Sequence, residues 1–184
     1  MLKSIFGIVS AAAVIGVVLI PAAASAAVTS PTAPGPPVDT TVTFTVNVGE
    51  LTLTAPASAS LGSGVPGETI RNGLGTVNVT DNRALLTAAW TVTASSTDFT
   101  VGGATTPEII PATDATYDPG NITKTGTITT APFNITLSAT PQTVVTGTAG
   151  IGNNTATWDP AIAVAIPDAA VGGGYSATLT QSVS

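Results

Sequence analysis

From residue 40 onward the chain alternates apolar side chains with hydroxyls. Period two is the mark of a pleated strand with one covered face, and β-branched Val, Ile and Thr suit that surface. Val42, Phe44, Val46 and Val48 share one face, with Thr41, Thr43, Thr45 and Asn47 on the other, so the pattern predicts a strand there. Leu51 and Leu53 follow after a Gly49-Glu50 break. Val77 and Val79 alternate before a turn at Asp81-Asn82. Trp90, Val92 and Ala94 alternate against Thr91, Thr93 and Ser95, and Phe99 with Val101 continues the pattern. Phe133, Ile135 and Leu137 predict another strand, Ile162, Val164 and Ile166 the next, and Tyr175, Ala177, Leu179 and Val183 the last.

Turn residues fall between these runs at Asn72-Gly73, Gly102-Gly103, Asp118-Pro119-Gly120, 150–152 and 172–174. Many short strands with Gly/Pro punctuation, and no amphipathic helix among them, predict an all-β fold: a single antiparallel β-sandwich. Long turn-rich connections, such as residues 105–117, favour Greek-key-like crossings over a regular meander.

The texture before residue 40 is different. Lys3 precedes an unbroken apolar stretch over residues 5–20, Pro21 ends it, and Ala24-Ser25-Ala26 has the form of a cleavage site. This order predicts a secretory signal peptide over residues 1–26, since the apolar run is shorter than the ~20 residues a membrane-spanning helix needs. Residues 27–39 hold Pro31, Pro34, Pro36 and Pro37 and predict an extended linker, leaving 40–184 as the folded domain. The expectation is a secreted protein of the cell wall or cell surface, free of the membrane after cleavage. No sorting signal is visible in the polar residues 181–184, so attachment to the cell would be non-covalent.

Composition narrows the chemistry. After cleavage three basic residues, Arg71, Arg83 and Lys124, remain against ten acids, a formal charge of −7. Such a balance argues against nucleic acid and anionic membranes as partners, because both require a basic patch. The chain has no Cys and no His. Disulfides, thiolate metal sites and the usual general base are thereby excluded. Glu108, Asp114, Asp118 and Asp159 sit beside Pro or Gly in turn-like settings and read as solvated carboxylates, not as a glycosidase pair or a calcium loop. The expectation is no catalysis, no cofactor and no metal. Asn-x-Thr sequons at Asn78, Asn121, Asn134 and Asn153 are those a Thr-rich chain produces by composition.

The few aromatics carry more information. Trp90, Trp158 and Tyr175 lie in or beside predicted strands, either filling the core or offering a stacking platform for sugar rings. Residues 77–83, Val-Asn-Val-Thr-Asp-Asn-Arg, followed by Trp90-Thr91-Val92, resemble the proximal half of a WxL domain, a wall-associated surface module of Gram-positive bacteria. Gly152-Asn153, Trp158-Asp159-Pro160, residues 162–167 and Gly174-Tyr175 continue the likeness, which spans roughly residues 40–183. In the distal motif Tyr175, Leu179 and Thr180 fit in register, while Gln181 stands where the family has its second Trp and Val183 replaces a Leu. The resemblance implies a divergent WxL-like β-sandwich that binds peptidoglycan or another cell-wall polymer and assembles with other surface proteins. Trp90, Trp158, Tyr175 and Gln181 are then the candidate binding residues. The alternative is a self-assembling structural subunit of an extracellular layer or filament, in which the strand over residues 42–48 pairs with a neighbour's sheet edge.

Overall fold

A computed structural model describes Gly35, residues 38–102 and residues 105–184, and divides the chain into two units, Met1–Thr43 and Phe44–Ser184. The expected signal peptide, most of the linker and Gly103 of the expected Gly102-Gly103 turn lie outside the described residues. In the first unit, Gly35 and residues 38–43 are exposed and carry no regular secondary structure.

The second unit is all-β, as the alternation predicts. Its strands are β1 Leu51–Thr54, β2 Thr69–Gly73, β3 Val77–Asp81, β4 Ala88–Ser96, β5 Phe99–Thr100, β6 Ile109–Ile110 and β7 Ala115–Asp118. They continue with β8 Ile122–Thr125, β9 Thr129–Pro132, β10 Ile135–Thr136, β11 Gln142–Gly150, β12 Asn154–Trp158, β13 Ala161–Ala165 and β14 Leu179–Val183. Single 3-10 turns at Thr106–Glu108 and Ala112–Asp114 flank β6.

All pairings are antiparallel and form three four-stranded sheets, β1-β3-β12-β8, β10-β7-β13-β2 and β14-β4-β11-β9, with a small β5-β6 ribbon. Partners are far apart in sequence: β3 lies beside β12, β4 beside β11 and β7 beside β13. The connections therefore cross, as expected, and do not meander. Alternation places Val77 and Val79 of β3, Trp90, Val92 and Ala94 of β4, and Ala156 and Trp158 of β12 in one shared core with Tyr117, Val145, Ile162 and Val164. Burying each large apolar side chain contributes about 1.5–3 kcal/mol.

Three departures from the expected elements have physical causes. Residues 105–117, expected as connection, hold β6, β7 and both 3-10 turns, because strands of two and four residues are too short to display an alternation. In β11 the register shifts between Thr143 and Val145, and Val144 and Val145 are both buried. Such a bulge turns two neighbours inward and erases the period-two signal. Asn72-Gly73, expected as a turn, closes β2 against β13.

A fourth departure is the largest. Residues 42–48 form no strand, and no backbone hydrogen bond joins residues 38–48 to another described residue. The ladder begins only at Gly49, whose N–H donates to Asn82 O at 2.8 Å, while Asn82 N–H donates to Glu50 O at 2.9 Å. Because β3 ends at Asp81, residues 44–48 of the second unit run on past the last rung of the sheet. Val42, Phe44, Val46 and Val48 are all exposed, Phe44 to 87%.

Candidate functional site

Trp90 is 2% exposed in the middle of β4. It faces Gly147 of β11, and the indole lies flat against that glycine, where any Cβ would overlap it. Its Nε1–H donates to Asn154 Oδ1 at 3.1 Å, tying the β14-β4-β11-β9 sheet to the β1-β3-β12-β8 sheet. Asn154 in turn points Nδ2 at Asp81 Oδ2, 3.4 Å away. Asp81 is 0% exposed yet charged, because Arg83 donates to it through Nε and Nη2, both at 2.9 Å. Arg83 also donates through Nη2 to Ala89 O at 2.8 Å. Hydrogen bonds from Arg83 hold the Asp81 carboxyl below the usual carboxylate range, outweighing the opposing effect of burial.

Trp158, equally buried, belongs to a second polar chain. Its Nε1–H donates to Tyr117 Oη at 3.1 Å, and the Tyr117 hydroxyl donates to Gln181 Oε1 at 3.0 Å. The chain runs from β12 through β7 to β14, one strand from each four-stranded sheet. Gln181, where the family resemblance places a Trp, is half-buried and turned inward onto Tyr117. Desolvation of its phenol pushes the Tyr117 pKa up to about 12. The sign follows from the unfolded reference of 10.0. Below pH 10 the stabilisation is fully present; it is lost as pH rises toward 12, because only the unfolded chain ionises readily there. Absorbance titration of the phenolates should therefore show one of the chain's two tyrosines ionising near pH 12, together with alkaline unfolding worth about 2–3 kcal/mol. Ionisation near pH 10 without unfolding would show Tyr117 in contact with water.

Tyr175 stands apart from both chains. It is half-buried, and its hydroxyl lies 2.9 Å from Pro107 O and 3.0 Å from Val171 O, sharing one proton between two loops. The four candidate residues thus do not converge. Trp158 and Gln181 meet through Tyr117, Trp90 has its own network, and Tyr175 pins a loop. With both indoles sealed in the core, neither can stack on a sugar ring at the surface of this fold.

The turn carboxylates have local work. Asp118 accepts from Arg71 Nη2 at 2.6 Å and from Gly120 N–H at 2.9 Å, and those bonds hold its pKa down. Asp159 accepts from Thr76 Oγ1 at 2.6 Å. Among the described residues, no group of three or more carboxylates is placed to hold a metal ion.

One uncovered apolar feature lies at one pole of the second unit. Asn82, bonded to Gly49, leads into Leu85 and Leu86, both exposed. Leu85 O accepts from Gly152 N–H at 2.8 Å, which places exposed Ile151 beside them. Residues 44–48 emerge from this same pole. Tyr117 and this pole were both missed by the reading of the sequence. The shift in alternation between Val48 and Leu51 was a visible signal for the second.

Compared with known proteins, the chain matches no family model, no curated protein and no solved structure.

Proposed function

We propose that the protein is an exported, non-catalytic component of the Gram-positive cell surface, held non-covalently to the wall and to other surface proteins. One observation carries this reading: Phe44, Val46 and Val48 are exposed on a segment with no backbone hydrogen bond to another described residue, and that segment runs into Gly49, which is bonded to Asn82 shortly before exposed Leu85 and Leu86. Among the described residues no buried side-chain polar atom lacks a partner, so the interior holds no group in reserve for chemistry. Contiguous exposed apolar surface marks a place where another molecule sits. The leader-like residues 1–26 and the likeness to WxL domains support the location. In this reading the tryptophans serve packing, and the pole with residues 44–48 is where another surface protein sits.

The test is sedimentation of the mature chain, residues 27–184, with purified peptidoglycan. Retention is expected, and it should weaken strongly when Phe44 and Leu86 are both replaced by Lys. Recovery of the unaltered chain wholly in the supernatant would overturn wall attachment.

A further inference from the structure

We infer that the partner of this apolar pole is a second copy of the chain, joined across a two-fold axis by antiparallel pairing of residues 42–48 with the same residues of the other copy. This deepens the reading above, in which the protein works through its surface.

The alternation of the segment rules out its own core as the covering surface. In β1 the inward residues are Leu51 and Leu53, at odd positions, with Thr52 and Thr54 outward. The apolar residues of the overhang, Val42, Phe44, Val46 and Val48, occupy even positions. Side chains alternate strictly along an extended chain, so a straight continuation of β1 turns this second set to the opposite face. One sheet face cannot cover both.

The pole is complementary to itself. It offers residues 44–48, which have no ladder partner among the described residues, and, beyond the Asn82 that bonds Gly49, the uncovered side chains Leu85, Leu86 and Ile151. A two-fold axis satisfies both at once, since each copy supplies the strand and the apolar bed that the other needs. Centring the axis on Thr45 sets Val42 opposite Val48 and Phe44 opposite Val46 on one face, with the threonines on the other. That register also sets Glu50 opposite Thr40 and Asp39 opposite Leu51, so no like charges meet. Residues 40–48 contain no ionisable side chain. Edge strands that must stay single are normally protected by Lys, Pro or extreme shortness. Of the sheet edges, β8 carries Lys124, β9 ends in Pro132 and β10 has only two residues, while β1 and β14 carry neither Lys nor Pro. The overhang has none of these defences. Phe44 alone offers about 150–250 Å², with Val46, Val48, Leu86 and Ile151 exposed in the same unit, toward the ~800 Å² per partner of a specific interface. An anionic membrane is a poor competitor for a pole without a free cation in a chain of net charge −6.

The absence of cysteine makes the test direct. The mature chain is examined by analytical ultracentrifugation across a thousandfold range of concentration, beside two single-cysteine variants, Thr45→Cys on the axis and Thr180→Cys on β14. A monomer–dimer equilibrium is expected, with rapid oxidative cross-linking of Thr45→Cys and little of Thr180→Cys, since opposed Cβ atoms in an antiparallel pair lie about 4.5–5.5 Å apart. Phe44→Lys should weaken the dimer about 30-fold or more. Because that side chain is exposed, the thermal unfolding of the variant should match that of the parent. A monomer at every concentration overturns the inference. So do open-ended polymers without Thr45 cross-links, which would mean that the segment adds to another edge. If the chain is retained on peptidoglycan while monomeric, the inference fails and the proposed function stands; a dimer that is not retained gives the reverse.

Discussion

Replacing Trp90 with alanine is expected to lower the free energy of unfolding by about 3–5 kcal/mol, as truncation of a large buried aromatic does. The indole is enclosed between sheets and rests on Gly147, so its removal leaves a void that the glycine cannot fill. It also strips Asn154 Oδ1 of its donor inside the core. Trp90→Phe separates the two contributions: much of the volume returns, the donor does not, and the loss should be intermediate. Urea unfolding followed by circular dichroism measures both, provided the dependence on denaturant is unchanged. A loss below about 1 kcal/mol for Trp90→Ala would place the ring at the surface and return it to the list of sugar-stacking candidates.

The second large effect concerns the pair Asp81–Arg83, and it should be asymmetric. Arg83→Met leaves the fully buried Asp81 carboxylate with Asn154 as its remaining side-chain donor. Breaking a buried pair from that side should cost about 3–5 kcal/mol at neutral pH. Asp81→Asn should cost less, because the Arg83 side chain is 29% exposed and can recover water. The pH dependence identifies the mechanism. In the parent chain the Asp81 carboxyl is held below its reference value of 3.8, so its contribution is present above that pH and is lost as pH falls through the lower folded value. Without Arg83 the buried carboxyl accepts a proton readily, and the gap between parent and Arg83→Met should narrow from pH 5 to pH 2. A gap independent of pH would assign the loss to side-chain packing of the arginine instead.

Much of this fold was legible in the sequence. Strands β3, β4 and β13 follow the alternation residue by residue, and the turn at Asp118-Pro119-Gly120 falls where proline and glycine put it. Strands β7, β8 and β9 were not seen. Each is four residues long; Ile-Thr-Lys-Thr and Thr-Thr-Ala-Pro repeat no apolar–polar contrast, and Ala-Thr-Tyr-Asp shows it for only two periods. β11 was hidden by its bulge at Val144. Tyr117 escaped notice for the same reason as its strand, although a phenol placed between Trp158 and Gln181 decides how three sheets are joined. The candidate binding residues were chosen by type, which cannot tell a buried indole from an exposed one. Local pattern does not specify which faces the fold will cover. Residues 42–48 show the converse case, a strand signal as strong as any in the chain that finds no ladder among the described residues.

The spacing between Val48 and Leu51 has a consequence for how this protein can vary. Because extended chain repeats every two residues, inserting or deleting one residue at Gly49-Glu50 would bring the apolar positions of the overhang into phase with those of β1. Composition would hardly change, yet the two apolar sets would then point the same way and compete for one core face. An insertion of two residues would leave the opposition intact and only lengthen the reach. The number of residues in this joint, odd or even, is therefore a heritable constraint on indels that leaves the identities of those residues comparatively free.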